Sequence, residues 1–307
     1  MSLQGKVAIV TGSGRGLGLA YARELARQGA SVVVNDVDRQ TADAAVASIV
    51  DAGGAAVAYV APVGPTATAD GLVAVALASF GRLDILVTNA GILRDSVLWK
   101  MSDDDFDQVI NVHLRGTFTC VRAAAVRFRE QGTGGRIICI GSPTGQRGNF
   151  GQTNYAAAKA GIVGMVRTWA IELARVNVTV NAVVPVAATA MTETVPYFAA
   201  AVEAEKKGEP MPAFFRHDLG FGTGEDVAPV IAYLASDEAA NISGQAIGIG
   251  GDRIQLWSHP EPVFSQYEDG GWTEAALGAR FTSLIADRLQ SVGEKFPDLP
   301  AELRPAE

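Results

Sequence analysis

The sequence has few residues of the kinds that build disulfide frameworks or metal centres. Only two cysteines, Cys120 and Cys139, occur in 307 residues, and they do not form a CxxC pair. The three histidines, at positions 113, 217 and 259, are scattered and do not have the spacing of metal ligands. We therefore expect no metal, and we expect both thiols to be small core residues of a cytoplasmic protein.

The sequence also has too little positive charge for a nucleic-acid partner. Its 25 Lys and Arg residues are outnumbered by 33 Asp and Glu residues, which gives a formal net charge of −8. Such a surface does not attract phosphate backbones. No apolar run reaches the length of a membrane span, and the start MSLQGKVAIV lacks the features of a signal peptide. We expect no membrane partner, and the 48% of hydrophobic residues predicts a large globular core.

What the sequence does contain is a repeated pattern of strand followed by helix. Short continuous apolar runs such as KVAIV, SVVVND and AAVAYV are typical of strands that are covered on both faces. They alternate with longer segments of helical periodicity until QAIGIGG at 245–251. Seven such strands predict one α/β domain of the doubly wound, Rossmann type, with a seven-stranded parallel sheet and helices on both faces.

Two segments depart from this pattern. Residues 186–222 form a long insertion, and we interpret it as a substrate lid within a catalytic domain at 1–253. The large apolar residues of this lid are Phe198, Met211, Phe214 and Phe215. Residues 254–307 form a C-terminal extension, and its aromatic residues predict packing on the body or on a neighbouring subunit. These aromatic residues are Trp257, Tyr267, Trp272 and Phe281.

A glycine-rich turn, TGSGRGLG at 11–18, lies between the first predicted strand and the first predicted helix. In that context Gly12 permits the turn, Gly16 lets the backbone approach a pyrophosphate, and Gly18 lets the helix pack against the strand. The following helix N-terminus offers N–H groups to phosphate. Many loops use glycine for geometry alone, but this strand-turn-helix context favours a dinucleotide site.

Asp36 closes the second strand, 20 residues after Gly16. A carboxylate at this position accepts hydrogen bonds from ribose hydroxyls and repels a 2′-phosphate, so we predict NAD rather than NADP as the cofactor. Arg15 is the opposing signal, because a guanidinium near the turn could meet a 2′-phosphate. The alternative for Asp36 is a simple cap of the next turn.

Several polar residues are predicted to meet at the carboxyl edge of the sheet. Tyr155 and Lys159, in YAAAK, share one helix face, and Ser142 ends the fifth strand. Asn111 lies in the preceding long helix, and Asn89, Ala90 and Gly91 end the fourth strand. Ligands bind at this edge in open parallel sheets. An isolated YxxxK would be an ordinary solvated pair, but this combination favours a catalytic site.

These motifs, in this order and spacing, resemble the short-chain dehydrogenase/reductase family throughout residues 5–251. The resemblance implies that Tyr155 is the acid/base and that Lys159 lowers its pKa and holds the nicotinamide ribose. It implies that Ser142 steadies the substrate oxygen and that Asn111 supports a proton relay. The predicted cofactor contacts are Gly12, Ser13, Arg15, Gly16, Leu17, Asp36, Val63, Asn89, Ala90, Gly91, Tyr155, Lys159 and Pro185.

The chain departs from the family pattern at three positions. Thr88 stands where a second asparagine is common, Pro62 stands where an aspartate is common, and Pro185 is followed by Val186 rather than glycine. The aspartate is a side-chain partner of the adenine, so backbone or apolar contacts must replace it. None of the three positions carries the proton chemistry.

A narrower resemblance bears on the substrate. NAGILRDSVLWKMS, NVHLRGTF and DGGWT look like dehydrogenases allied to the D-3-hydroxyacyl-CoA dehydrogenase domain of peroxisomal multifunctional enzymes. This implies an apolar hydroxyacyl-CoA substrate, whose phosphate could meet Arg147, Lys206 or Lys207. The alternatives are a 3-oxoacyl-thioester reductase, a steroid or other secondary-alcohol dehydrogenase, and a non-catalytic dinucleotide-binding redox sensor.

Oligomerisation is also expected. The predicted helix 153–174 is rich in alanine and glycine, so its backbone can approach another helix closely. The resemblance implies that this helix and the preceding long one pair across a two-fold axis, giving a homodimer or a homotetramer.

Overall fold

The computed structural model of the chain describes residues 2–188, 196–294 and 296–304. Its centre is one eight-stranded sheet with the order β3-β2-β1-β4-β5-β6-β7-β8. The strands are β1 Val7–Val10, β2 Ser31–Asp36, β3 Ala55–Val60, β4 Ile85–Thr88, β5 Gly135–Ile140, β6 Val178–Pro185, β7 Ala246–Gly250 and β8 Arg253–Trp257. The order reverses between β1 and β4, which is the switch point where doubly wound folds bind their ligands.

The doubly wound α/β prediction is confirmed, but the strand number was wrong. β1 to β7 are parallel, and β8 pairs antiparallel with β7 after a turn of only two residues, Gly251 and Asp252. Gly251 has φ 50°, as such tight hairpin turns require. The run RIQLW is not continuously apolar, and its three middle residues, Ile254, Gln255 and Leu256, are exposed at the edge of the sheet. The other strands were predicted from continuous apolar runs, and β8, which lacks such a run, was therefore missed. The predicted end of the catalytic domain, residue 253, is the first residue of this strand.

Ten α-helices and several short turns surround this sheet in the described residues. They are α1 Gly16–Arg27, α2 Arg39–Asp51, α3 Thr66–Phe80, α4 Asp103–Val109, α5 Gly116–Gln131, α6 Pro143–Arg147, α7 Thr153–Leu173, α8 Ala199–Lys207, α9 Gly224–Ala235 and α10 Glu274–Ile285. No helix among the described residues is long and apolar enough to cross a membrane.

A separate hydrophobic core lies on each face of the sheet. On one face, α1, α2 and α9 pack against the strands, with Tyr21 and Leu25 fully buried. On the other face, α3, α5 and α7 pack around Leu72, Phe128 and Ile162. Cys120 and Cys139 belong to this second core, and burial raises the pKa of both thiols to about 12. Both are therefore structural residues, as the sequence predicted.

The link between α4 and α5 is a single π-helical segment, Ile110–Arg115. The helix continues through it with αR backbone angles on both sides, at Val109 and Gly116. Such π-bulges occur frequently at functional sites, because they rotate the following side chains relative to a regular helix. The segment carries His113, which is buried.

The insertion at 186–222 forms its own small hydrophobic cluster instead of an open loop. Met211, Phe215, Leu219 and Phe221 are buried there, and Phe198 stacks on Phe221 at 4.4 Å between ring centroids. Residues 189–195 of the predicted lid lie outside the described residues. The cluster is tied to the body by Arg216, whose guanidinium bonds the Asp226 and Asp252 carboxylates at distances of 2.8–3.0 Å.

The C-terminal extension packs on the body at its two ends. Trp257 lies in β8, and Leu299 and Leu303 pack against the insertion cluster. Between them, α10 has no buried residue, and Tyr267 is 84% exposed. Packing on the body is therefore limited to part of the extension.

Candidate active site

The glycine-rich turn and the ends of the central strands enclose one cavity of about 1310 Å³. Gly12 and Gly16 have φ of 61° and 57°, a region that residues with a Cβ rarely adopt. A Cβ on Gly18 would lie 2.2 Å from the carbonyl oxygen of Gly12, so only glycine lets α1 start this close to the turn. The N-terminus of α1 follows directly at Gly16, and the chain therefore presents free N–H groups to this cavity.

The carboxylate of Asp36 is fixed at the wall of the cavity by the main chain. One oxygen accepts the Gly14 N–H at 3.2 Å, and the other accepts the Asp38 N–H at 3.1 Å. Arg15, exposed at the same wall, lies close enough to Asp38 to lower the pKa of that carboxyl, after the larger effect of Thr41. The two competing signals in the sequence, Asp36 and Arg15, thus both line the cavity.

Asn89 joins the end of β4 to the glycine-rich turn. Its Nδ2 donates to the carbonyls of Thr11 and Gly12, and its own N–H donates to the Thr11 hydroxyl. The predicted cofactor contacts all line the cavity except Ser13. The Ser13 hydroxyl is buried, donates to Val10 O at 2.7 Å and accepts the Asn35 N–H, so it stabilises the turn from beneath.

Tyr155 and Lys159 lie on one face of α7, at the point where the cavity passes β5. The Lys159 ammonium donates to Ile140 O at 2.7 Å and lies 5.5 Å from the centre of the Tyr155 ring. Ser142 caps α6 by accepting the Thr144 N–H, and its hydroxyl is near enough to Tyr155 to lower the pKa of the phenol. The structure therefore brings three of the four predicted catalytic residues together.

Burial dominates the electrostatics of this group. It raises the pKa of Tyr155, against the effect of the Ser142 hydrogen bond, and it lowers the pKa of Lys159 to about 7. A lysine of this kind can change its charge within the physiological range. Burial therefore favours the neutral phenol of Tyr155, while Lys159 changes its charge near neutral pH.

His113, a residue without a predicted role, completes the group. Its ring meets the Tyr155 ring edge-to-face at 5.1 Å, and its Nε2 lies 2.8 Å from Ile92 O. Its Nδ1 is buried without a partner. Burial, and then the charge of Lys159, lower the pKa of His113 to about 3, so the imidazole is neutral above about pH 4. A Cβ on Gly91 would lie 2.2 Å from His113 Cε1, which explains the glycine there.

Asn111 does not lie in this group. Its side chain is exposed and faces Gly64, where an added Cβ would meet its Nδ2 at 2.9 Å. Residues two positions apart point to roughly opposite sides of a helix, so Asn111 points away when His113 points inward. The position of Asn111 therefore does not support the predicted relay role. The sequence does contain an indication of this: His113 is separated by helical intervals from Val109, Thr117 and Cys120, which are all buried.

The side of the cavity beyond Tyr155 is built by the insertion, β8 and the C-terminal extension. Phe198, Leu219 and Phe221 give it an apolar wall, and Arg147 and Arg253 bring positive charge. Lys207 instead pairs with Glu203 at 2.7 Å, away from the cavity. The cavity therefore has a polar half at the glycine-rich turn and a half of mixed polarity at the insertion, and the two meet at Tyr155.

Comparisons with known proteins agree with this geometry. A family profile described as short chain dehydrogenase matches residues 6–198. The 3-oxoacyl-[acyl-carrier-protein] reductase FabG of Thermotoga maritima is 42% identical over 83% of this chain and 100% of its own. Hydroxyacyl-CoA dehydrogenase ChsB1 of Mycobacterium tuberculosis is 40% identical over 93% of this chain and 90% of its own.

Two further comparisons concern a longer protein and a solved structure. The Drosophila melanogaster peroxisomal multifunctional enzyme type 2 is 43% identical over 76% of this chain, which corresponds to 37% of that enzyme. A crystal structure of a short chain dehydrogenase from Mycobacterium avium superposes with a TM-score of 0.82 at 34% identity. It covers 95% of this chain and 98% of that one.

The fold and the site define a Rossmann-type oxidoreductase that uses a nicotinamide dinucleotide. Within that class, the chain belongs to the short-chain dehydrogenase/reductase family. The enzymes of this family act on CH–OH groups with NAD or NADP, and the glycine cradle, the α1 N-terminus and Lys159 fit such a cofactor.

Proposed function

We propose that the protein is an NAD-dependent dehydrogenase that oxidises the secondary alcohol of a 3-hydroxyacyl-CoA or a similarly apolar substrate. The observation that carries this proposal is the group of Tyr155, Lys159 and His113, which lines the cavity where its two halves meet, with the buried Ser142 beside it. One relative is a hydroxyacyl-CoA dehydrogenase, and the match covers 93% of the present chain. This similarity supports the proposed substrate class.

The preference for NAD is proposed from Asp36. Its carboxylate is held rigidly by the N–H groups of Gly14 and Asp38, so it cannot swing away from a 2′-phosphate. Like charges at close range in a partly buried site are costly. A ribose with two free hydroxyls could instead donate to this carboxylate.

In the proposed reaction, Tyr155 Oη accepts the proton of the substrate hydroxyl while Ser142 Oγ holds the substrate oxygen. The nicotinamide ring supplies a hydride acceptor for the carbon-bound hydrogen. Lys159 places a positive charge near the phenol, which favours its deprotonated form. Because burial raises the pKa of Tyr155, we expect oxidation to become faster as the pH rises above neutrality.

We assign the relay role to His113 rather than to Asn111. A neutral imidazole has one donor and one acceptor nitrogen, so it can pass a proton without becoming charged. Its Nε2 is engaged by Ile92, and its unpartnered Nδ1 is free to exchange a proton through a water molecule. This exchange would reset Tyr155 between turnovers.

The decisive experiment is the Tyr155→Phe variant, assayed for NAD reduction with 3-hydroxyacyl-CoA substrates of increasing chain length. We expect kcat to fall by about 10²–10⁴-fold, the range for a positioned proton-transfer group, while NADH binding measured by fluorescence is retained. Tyr233→Phe, on α9 and outside the cavity lining, is the control. Comparable turnover by Tyr155→Phe would contradict the proposal.

A second candidate, reduction of 3-oxoacyl thioesters, is favoured by the relative from Thermotoga maritima, whose whole length the chain matches. The same residues would then act in the opposite direction, with Tyr155 donating its proton. Kinetics in both directions, with both cofactors and with thioesters of CoA and acyl carrier protein, would distinguish the two. Higher kcat/KM for reduction of the carrier-protein thioester with NADPH would favour the reductase.

A further inference from the structure

A short piece of the C-terminal extension lines the outer end of the cavity with Glu294, Phe296 and Pro297. The Gly293 N–H donates to Arg147 O at 2.8 Å, and Arg147 Nε donates back to Gly293 O at 3.0 Å. Further along, Tyr197 Oη donates to Pro297 O at 2.6 Å, and Phe296 stacks on the Tyr197 ring. The described residues 291–294 and 296–297 are therefore fixed to α6 on one side and to the insertion cluster on the other.

Two guanidinium groups lie on the wall of this outer end, those of Arg147 and Arg253. Arg253 extends over Gly220, where an added Cβ would lie 2.5 Å from its Nε, and its Nη1 donates to Asp218 O at 3.3 Å. In the part of the chain that the structure describes, both arginines donate to main-chain carbonyls, and neither forms an ion pair within 4.0 Å. Two cations without a direct carboxylate partner thus share one cavity wall.

The carboxylate that both arginines influence is Glu294. It lines the same cavity from an exposed position on the segment that Arg147 holds; partial burial raises its pKa, and Arg147 and then Arg253 act in the opposite direction. The other carboxylate on this wall, Asp218, lies 3.2 Å from the His217 ring. Glu294 is therefore the carboxylate that can balance the two arginines at this end of the cavity. Its segment is held by hydrogen bonds and ring contacts and does not belong to the hydrophobic core.

We propose that Arg147 and Arg253 form a subsite for an anionic group of the substrate, and that Glu294 is the internal counter-ion that this group displaces. This inference rests on the proposed function and names how its substrate is recognised. Guanidinium groups bind phosphate and carboxylate oxygens through paired charge-assisted hydrogen bonds. The anion could be a phosphate of CoA or a carboxylate on the acyl part, and the substrates in the test distinguish these sources.

The arrangement divides the substrate half of the cavity by chemistry. Phe198, Leu219 and Phe221 provide the apolar wall for an acyl chain, and the two arginines lie at the charged end. A ligand that is only apolar would leave Glu294 in place. A ligand that also carries an anion would exchange one carboxylate for another oxyanion, so its net gain depends on how easily Glu294 leaves.

The first test compares three thioesters of one 3-hydroxyacyl chain. One is the CoA thioester, one is the uncharged N-acetylcysteamine thioester, and one is an N-acetylcysteamine thioester with a terminal carboxylate on the acyl chain. For Arg253→Gln, we expect the ratio of kcat/KM for an anionic thioester to that for the uncharged one to fall by about tenfold or more. Arg288→Gln, outside the cavity, is the matched control.

The substrate for which the ratio falls identifies the anion: the CoA thioester points to a phosphate, and the carboxylate-bearing thioester points to the acyl part. An unchanged ratio for both overturns the inference while turnover itself still supports the proposed dehydrogenase. A wild-type protein that turns over no thioester contradicts the proposed function instead. Arg147→Gln serves as a second variant, although it also removes hydrogen bonds to residues 291 and 293.

The second test removes the internal anion and predicts a gain. Glu294→Gln keeps the size of the side chain but cannot act as a counter-ion, so we expect a several-fold lower KM for the anionic thioester. If the anion is a phosphate, free CoA titrated by calorimetry should also bind several-fold more tightly. Glu261→Gln, on the exposed part of the extension, is the control. Equal or weaker binding of the anionic thioester by Glu294→Gln would overturn the role of that residue.

Discussion

At the scale of single residues, the site depends on how the chain holds charges that would otherwise be solvated. Asp36 is the clearest case, because both of its oxygens accept main-chain N–H groups. Asp36→Asn removes the charge that opposes a 2′-phosphate, so we expect the preference for NAD over NADP, as a ratio of kcat/KM values, to fall by about 10–100-fold.

The matched control for this change is Asp38→Asn. Asp38 lies two residues away, also near Arg15, and its side chain caps α2 by accepting the Thr41 N–H, a role that asparagine retains. A comparable change of cofactor preference in Asp38→Asn would mean that general surface charge, rather than the fixed Asp36 carboxylate, sets the preference. Unchanged preference in Asp36→Asn would contradict the assignment directly.

His113 predicts a specific dependence of stability on pH. Its pKa is lowered by burial from 6.5 to about 3 in the folded protein. The unfolded chain therefore takes up a proton first, and the folded state loses stability as the pH falls from about 6.5 towards 3. One such group changes the free energy of unfolding by at most about 1.4 kcal/mol per pH unit.

Urea unfolding of the wild type and of His113→Asn at pH 7 and pH 4.5 tests this. We expect the wild type to lose up to about 2.7 kcal/mol more than the variant between the two pH values, because asparagine does not titrate. His259→Asn, at an exposed position, provides the control. If the wild type and His113→Asn lose the same stability, the imidazole is not buried in its neutral form.

The residue scale also shows what the sequence could not determine. The meeting of Tyr155, Lys159 and Ser142 was predictable, because YAAAK places the first two on one face of α7 and Ser142 follows the carboxyl end of β5. To choose between Asn111 and His113, one must know how the π-helical segment rotates the side chains about the helix axis. The residues INVHLR do not by themselves indicate a π-helical turn. The buried spacing of Val109, His113, Thr117 and Cys120 was the available signal.

At the scale of secondary-structure elements, strands with a short continuous apolar run were predicted, and some elements without such a run were not. β3 was expected at 55–60 and is found at Ala55–Val60. The half-exposed β8 was missed, as was α8, whose sequence AAAVEAEKK consists largely of strong helix formers and ends at the left-handed Gly208. The proline-rich surroundings of α8 made an irregular loop the natural prediction.

The described part of the insertion packs into its own cluster, and this bears on its predicted role as a lid. Phe215 is fully buried inside the cluster, and Met211 and Phe221 are buried beside it. Closure over a substrate would therefore bury little additional area of these side chains. We expect Phe215→Ala to destabilise the protein, by about 3–5 kcal/mol for a buried phenylalanine, rather than to act on substrate choice.

Phe198 is the residue of this cluster that we expect to influence chain-length preference, because its ring also lines the cavity. In Phe198→Ala, kcat/KM should decrease more for long acyl chains than for short ones, by about 1–3 kcal/mol in apparent binding energy. Phe214→Ala, partly buried but outside the cavity lining, is the control. An equal loss for all chain lengths would place the acyl chain elsewhere.

At the scale of the whole molecule, the described chain leaves one side of helix α7 exposed to solvent. On α7, Ala157, Gly164 and Thr168 are exposed, and Ile171 is 79% exposed; their spacing places them along one side of the helix. An added Cβ on Gly164 would meet nothing within 4 Å, so the helix backbone itself is accessible there. On the neighbouring α5, Val126 is 52% exposed.

Small residues on an exposed helix face allow two helices to pack closely across a two-fold axis, and we therefore expect a homodimer or homotetramer built on α7. Light scattering at micromolar concentration should give a mass of at least twice 32.0 kDa. Gly164→Arg places a large charged side chain in this contact and should shift the mass to that of one chain. Gly278→Arg is matched to it, since Gly278 also lies in a helix with open space around it, and it should leave the mass unchanged. If the wild type has the mass of one chain, the expected assembly is contradicted. If Gly164→Arg has the same mass as the wild type, the interface lies on another surface, such as the exposed Ile254 and Leu256 of β8.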